Sequence, residues 1–128
     1  MWIGKFIRFM VSMARSMIDN VKVRVDPISY ARSLGVKIEN DVRLISIRPG
    51  IGTFGTEPYL IQIGQHVTVS GGVQFVTHDG GVWVFRQLEP DIERFGKIII
   101  GNNVFLGYGV VIMPNVSIGD NVVIGAGS

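Results

Sequence analysis

The chain has 128 residues, 47% of them hydrophobic, which is enough apolar material for one domain with a buried core. It contains no cysteine, and this excludes a disulfide framework and a thiolate metal site. The net charge is only +2, although most basic residues fall within residues 1–37. No aromatic-plus-basic motif accompanies that charge, so nucleic acid is not an expected partner.

The first twenty residues carry polar side chains at intervals of three or four. These are Lys5, Arg8, Ser12, Arg15 and Asp19. Since apolar residues fill the other positions, the pattern predicts an amphipathic helix from Trp2 to Asn20. Basic residues interrupt every long apolar run, which excludes a transmembrane span and a signal peptide. Two roles are open: packing on the protein or a neighbouring subunit, or peripheral membrane contact through residues 2–20.

A second short helix is predicted to follow at once. Asp26 is suited to cap its first turn, Pro27 to fill its first position and Gly35 to end it. Residues 1–34 are therefore predicted as an N-terminal helical segment, and residues 35–128 as a separate domain. Within that domain, residues 48–58 are too rich in glycine and proline for a strand and are predicted as a loop between coils.

The second domain repeats an aliphatic residue every six positions, at Ile100, Leu106, Ile112, Ile118 and Ile124. A valine follows each of the first four by four residues, at Val104, Val110, Val116 and Val122. Earlier passes of the same pattern include Ile63, Val69 and Phe75. A period of six is neither that of a helix nor that of a strand, so it describes a strand plus a corner. Three such units close one triangular coil, and the predicted fold is an all-β parallel β-helix.

The six-residue register is lost after Thr77 and regained at Ile98, which predicts a loop extruded from one corner at about residues 79–96. His78 stands at the break, within Thr77-His78-Asp79-Gly80-Gly81. An imidazole with a pKa of roughly 6.5 can accept a proton at physiological pH. The plainer alternative is a surface histidine on a loop. His66, in contrast, stands where later repeats carry asparagine, and it is interpreted as an ordinary exposed corner.

The stretch from Gly55 to Gly81, followed by Ile100-Gly-Asn-Asn-Val-Phe-Leu-Gly, resembles the hexapeptide-repeat acyltransferases. It is most similar to the sugar and xenobiotic O-acetyltransferases and to capsule or lipopolysaccharide acetyltransferases, over about residues 34–128. The resemblance implies a left-handed coil, a homotrimer and acetyl-CoA as co-substrate in a groove between two coils. It also implies that His78 is the general base and that no metal is required.

The position of residues within the family motif implies further site residues. Tyr108, Gly109 and Ala126 are the expected contacts of acetyl-CoA. Glu57, Trp83 and Phe85 are candidates for the acceptor side. Because members of the family continue beyond the point that corresponds to Ser128, the resemblance also suggests a chain truncated at its C-terminus.

These expectations combine into a cytoplasmic enzyme, alternatively one associated with the inner membrane surface. It is predicted to transfer an acetyl group from acetyl-CoA to a hydroxyl of a sugar or surface polysaccharide. Two alternatives stay open: N-acetylation of an amino sugar, and a catalytically inactive trimeric scaffold. A zinc carbonic anhydrase of the same repeat class needs three histidine ligands, and the chain has two histidines.

Overall fold

Two helices open the chain in the computed structural model, which describes all 128 residues. Helix α1 spans Trp2–Val25 and helix α2 spans Pro27–Ser33. At their junction the Asp26 side chain accepts a hydrogen bond of 3.0 Å from the backbone N–H of Ser29. This hydrogen bond lowers the pKa of the Asp26 carboxyl. Both predicted helices are confirmed, but α1 extends past Asn20. No helix has the length and hydropathy needed to cross a bilayer.

Ten short strands follow, each of two or three residues. They are β1 Lys37–Ile38, β2 Val42–Leu44, β3 Ile61–Ile63, β4 Val67–Val69, β5 Gln74–Phe75, β6 Ile98–Ile100, β7 Val104–Leu106, β8 Val111–Ile112, β9 Ser117–Ile118 and β10 Val122–Ile124.

The strands form three parallel sheets, which the chain visits in turn. The first sheet contains β1, β3, β6 and β9, the second contains β2, β4, β7 and β10, and the third contains β5 and β8. Ile100 pairs with Ile118 and Val104 with Val122, so one coil equals three six-residue repeats. Because the chain returns to the same side after each coil, the sheets are the faces of a β-helix. The predicted parallel arrangement is confirmed.

The residues of the six-residue pattern form the core. Ile63, Val69, Phe75, Ile100, Leu106 and Ile112 are buried, as are the valines Val67, Val73, Val104 and Val110. In the last coil the equivalent residues are only partly buried against this core: Val116, Ile118, Val122 and Ile124. Most repeats thus point one large apolar residue and one valine inward, which is why the period is visible in the sequence.

The segment 48–58 is not simply the predicted loop. It contains a short helix, α3, over Ile51–Phe54, and a 3-10 helix over Pro58–Leu60 begins at its end. Phe54 is fully buried and stacks on Phe75, with the ring centroids 5.7 Å apart. Helix α3 therefore covers the side of the coil on which β5 and β8 lie. The glycine and proline content correctly excluded a strand, but it gave no indication that Phe54 is buried.

One corner of the coil repeats the same backbone conformation in four successive coils. Asp41, His66, Asn103 and Asn121 have φ values of 57°, 55°, 55° and 59°. Asparagine and aspartate tolerate this left-handed region better than most residues. The predicted role of His66 as an exposed corner residue is confirmed, although its Nδ1 also lies 2.5 Å from Oδ2 of Asp41.

Between β5 and β6 the chain leaves the coil register. A 3-10 helix spans Gly80–Phe85, and most residues from 80 to 97 are exposed. The two ends of the segment meet at an antiparallel bridge between His78 and Phe95. Backbone hydrogen bonds from Asp79 N–H to Arg94 O (2.8 Å) and from Gly96 N–H to Thr77 O (3.1 Å) flank this bridge. His78 is therefore held at the neck of the segment.

Candidate active site

His78 lies just after β5, where the chain departs from the coil. The aromatic ring of Phe95 meets the imidazole edge-on, at a centroid distance of 5.3 Å and an interplanar angle of 90°. About one third of the His78 side chain, 31%, stays exposed. The bridge to Phe95 and the strand before it fix the backbone on both sides, so the imidazole is presented from a rigid position.

Glu57 approaches His78 from the turn that precedes β3. Its Oε1 lies 3.5 Å from Nδ1 of the imidazole, which is an ion-pair distance rather than a short hydrogen bond. The Thr77 hydroxyl donates to Oε2 of Glu57 at 2.8 Å, and the Thr56 hydroxyl donates to the same oxygen at 2.7 Å. Thr77 Oγ1 also accepts the backbone N–H of Glu57 at 3.2 Å. Thr77 is fully buried, so it fixes the carboxylate from inside the coil.

The charge of Glu57 follows from these contacts. Burial by itself would raise the pKa of the Glu57 carboxyl, but the hydrogen bonds from Thr56 and Thr77 and the adjacent His78 hold that pKa below its usual value. Glu57 is therefore a carboxylate at neutral pH. A carboxylate at Nδ1 favours the tautomer with its proton on Nδ1, which leaves Nε2 as a proton acceptor. The pair can thus remove a proton from a bound hydroxyl.

Both histidines of the chain face a carboxylate, and burial distinguishes them. The side chains of His66 and Asp41 are 71% and 67% exposed, so solvent surrounds that pair. The side chain of Glu57 is only 17% exposed and is bound by two threonine hydroxyls. Only the His78 pair has its carboxylate held by a buried hydroxyl, that of Thr77, and a general base needs such a fixed geometry.

The predicted acceptor residues divide into two groups. Glu57 contacts the imidazole of His78, as described above. Trp83 and Phe85 lie on the 3-10 helix beyond the neck, where both side chains are exposed. The Asp79 side chain caps that helix by accepting the N–H of Gly81 at 2.9 Å. Trp83 and Phe85 thus lie on the segment that starts at His78, but they make no aromatic contact with its ring.

The predicted acetyl-CoA contacts lie together on another corner. Gly109 N–H donates to Gly71 O at 3.1 Å, and Gly127 N–H, next to Ala126, donates to Tyr108 O at 2.8 Å. The exposed Tyr108 ring covers the glycines at 71 and 72, where an added Cβ would come within 3.6 Å of it. This corner joins the second sheet to the third, whereas His78 follows the third sheet. Within one chain the two sets of residues do not meet.

The cleft beside His78 is small. Residues 51–53, 55–56 and 74–78 line it, and its volume is about 150 Å³. Pockets that enclose a ligand usually measure roughly 300–1,000 Å³. The cleft of one copy is thus smaller than the pockets that usually enclose a ligand. No group of three or more His, Asp or Glu side chains is arranged to hold a metal.

Sequence reasoning found His78 and Glu57 but did not assign them to each other. It also missed the roles of Thr77, Thr56 and Phe95. Thr77 carried a signal, because it lies two residues after Phe75 and so points inward like Val73 and Phe75. A hydroxyl at an inward position of an apolar coil needs a buried polar partner. The partner itself comes from a different coil, and no local pattern could show it.

The triangular parallel coil and its six-residue repeat form the architecture of hexapeptide-repeat proteins. Residues 97–128 match the family described as bacterial transferase hexapeptide (six repeats). The repeat implies the left-handed form of the β-helix.

Comparison with known proteins relates the chain to acetyltransferases. It is 59% identical over 86 residues to protein CapG of Staphylococcus aureus, covering 67% of this chain and 49% of CapG. It is 42% identical over 73 residues to galactoside O-acetyltransferase of Escherichia coli K12, covering 56% of this chain and 35% of that protein. The chain thus spans about half or less of these relatives. It contains a hexapeptide-repeat transferase domain homologous to both.

Among solved structures, a maltose O-acetyltransferase from Clostridium difficile 630 overlaps 77% of this chain and 60% of its own. The two are 26% identical, with a TM-score of 0.49.

Proposed function

We propose that the chain is an acetyl-CoA-dependent O-acetyltransferase that acetylates a hydroxyl of a sugar or surface polysaccharide in the cytoplasm. The observation that carries the proposal is the His78–Glu57 pair, fixed from inside the coil by the buried Thr77. The names of the relatives support the reaction class, since galactoside O-acetyltransferases are among them.

The proposed reaction is a direct transfer. Nε2 of His78 takes the proton of the acceptor hydroxyl while that oxygen bonds to the thioester carbonyl carbon. A backbone N–H near the coil surface stabilises the oxyanion. The C–S bond then breaks, and the proton passes from His78 to the departing thiolate. Glu57 stabilises the imidazolium that forms between the two proton transfers. The chain has no cysteine, and the scheme needs no acyl-enzyme.

A homotrimer is part of the proposal. In a trimer, one subunit can supply the base and its neighbour can supply the acetyl-CoA contacts. This arrangement accounts for the small cleft at His78 and for its distance from the corner of Tyr108, Gly109 and Ala126. The second sheet offers an apolar surface for such packing. Phe105 and Val123 are register partners on β7 and β10, and both side chains are exposed. Exposed apolar neighbours of this kind are typical of interfaces.

The acceptor would bind on the 79–96 segment, which we propose projects from the coil beside His78. Trp83 and Phe85 are exposed there, and aromatic rings can stack on the apolar face of a sugar. Glu57 is better placed to orient His78 than to bind the acceptor, because its carboxylate oxygens already face His78, Thr56 and Thr77.

The test is a thiol-release assay with acetyl-CoA and a panel of sugars. General-base catalysis contributes about 10²–10⁴-fold, so His78→Ala should lower kcat by that order. Its affinity for acetyl-CoA should stay within about twofold, because His78 acts on the acceptor proton. His66→Ala is the control and should keep its activity. Wild-type protein that releases no thiol with any sugar contradicts the proposal and favours the scaffold. Turnover with amino sugars alone favours N-acetylation.

A further inference from the structure

Helix α1 is exposed along nearly its whole length. Of its 24 residues only Val23, close to its end, is buried. Large apolar side chains elsewhere on it face solvent, among them Trp2 at 81% and Met17 at 66% exposure. No acidic residue lies in its first turn to stabilise that end. An exposed apolar surface of this extent is typical of a site that contacts a partner or a membrane.

The polar and apolar residues of α1 separate cleanly around its axis. At 3.6 residues per turn the polar stripe spans roughly 120°, and the apolar arc spans roughly 200°. The stripe contains Lys5, Arg8, Ser12, Arg15, Ser16, Asp19 and Lys22. The arc contains Trp2, Ile3, Phe6, Ile7, Phe9, Met10, Val11, Met13, Ala14, Met17 and Ile18. Polar residues enter the arc only in the last turns, at Asn20 and Arg24.

The body of the protein does not cover the arc. Val23, the one buried residue of α1, lies at the angular position of Lys5 and Ser16, on the side of the polar stripe. Contact with the body therefore occurs on that side and at the end of the helix. The apolar arc from Trp2 to Ile18 points away from the coil.

The charges on α1 indicate what covers it. The stripe carries four basic residues against Asp19 alone, on a chain whose net charge is +2. Helices that pack on copies of themselves usually have a narrow apolar seam flanked by charges of both signs. A wide arc with Trp and Phe near one end and a basic stripe is typical of a helix lying in a membrane interface. Juxtaposed basic residues add attraction to anionic lipids.

We propose that α1 lies in the surface of an anionic lipid bilayer, with the arc in the apolar region and Lys5, Arg8, Arg15 and Lys22 at the headgroups. The proposal is independent of acetyl transfer. It would place the coil at the membrane surface, within reach of acceptors assembled there.

Tryptophan fluorescence tests this on the full chain. The chain has two tryptophans, and Trp83→Phe leaves Trp2 as the only one. Vesicles of phosphatidylcholine mixed with phosphatidylglycerol should shift the Trp2 emission to the blue and sediment the protein. Vesicles of phosphatidylcholine alone should do so far more weakly. Met10→Glu, at the centre of the arc, should abolish the shift while the circular dichroism spectrum stays that of the wild type.

A pair of charge variants separates helix-specific binding from general attraction. Arg8→Gln with Arg15→Gln should weaken binding to the anionic vesicles about 10–30-fold, since each basic residue near such a surface contributes roughly fivefold. Arg94→Gln with Lys97→Gln removes the same charge from exposed positions off the helix and should have little effect. Equal losses from both pairs would overturn the proposal, as would no shift with anionic vesicles. The Trp2 emission could instead shift to the blue without lipid, and increasingly so at higher protein concentration. If Met10→Glu removed both this shift and the oligomer, the arc would be assigned to a second copy of the chain.

Discussion

Replacing Thr77 by valine tests the arrangement that fixes the candidate base. Valine matches the shape of threonine but removes the hydroxyl that donates to Glu57 Oε2 at 2.8 Å and accepts the Glu57 N–H at 3.2 Å. A hydrogen bond to a charged group is worth about 1.5–3 kcal/mol, and a buried N–H left unpaired costs about 1–3 kcal/mol. Since water can reach part of Glu57, we expect Thr77→Val to lower the free energy of unfolding by about 2–4 kcal/mol at pH 7.

The same variant carries a pH signature. The folded-state pKa of Glu57 lies below its ordinary value of 4.5. Its contribution to stability is therefore fully present above that value and is lost as the pH falls through the lowered pKa. The difference between wild type and Thr77→Val should accordingly be smaller at an acid pH below 4.5 than at pH 7, because a neutral carboxyl forms the weaker hydrogen bond.

Urea unfolding followed by circular dichroism, at one protein concentration and at both pH values, measures the difference. Thr68→Val is the matched control. Thr68 points outward from β4, and its side chain makes no hydrogen bond within the chain, so its free energy of unfolding should change by less than about 0.5 kcal/mol. In a Glu57→Gln background the cost of Thr77→Val should fall, since the two residues share one network. A cost below about 0.5 kcal/mol at pH 7, or equal costs at both pH values, would refute the reasoning.

Two further pairs of substitutions test the backbone behind the site and at the repeated corner. Gly55 has φ +66°, and an added Cβ would lie 2.6 Å from Phe75 O and 2.8 Å from Thr77 Oγ1. Gly55→Ala should therefore lower the thermal midpoint of unfolding by several degrees. Gly80→Ala is the control, because a Cβ added there has no atom within 4 Å, and it should leave the midpoint unchanged. Equal midpoints for the two variants would contradict the close contact at Gly55. At the corner, His66→Asn should be neutral because asparagine accepts a φ near 55°, whereas His66→Val should cost about 1–2 kcal/mol in urea unfolding. Equal stability of these two variants would show that the corner conformation does not constrain the residue.

Much of the fold could be predicted because its physics is local and repeated. Each six-residue repeat needs an inward apolar residue, so Ile100, Leu106 and Ile112 show the period directly. Helix α2 was equally readable, since Asp26 and Pro27 form a capping signal within two residues. The end of α1 was less so, because its apolar spacing continues through Val21 and Val25. Phe54 was hidden among glycines, and its stacking on Phe75 joins residues far apart in sequence.

The candidate site shows most clearly which features can be predicted from local sequence patterns and which depend on the folded chain. The coil, its core and the place of His78 can be predicted from the amino-acid sequence, because a six-residue period and its interruption are properties of neighbouring residues. The folded chain was needed to show that Glu57 faces His78, that Thr77 holds this carboxylate, and that the corner of Tyr108 lies apart from both. The physical reason is that these contacts join different coils. Insertions such as α3 and the 79–96 segment change which residues lie side by side, and no pattern within one repeat records that change.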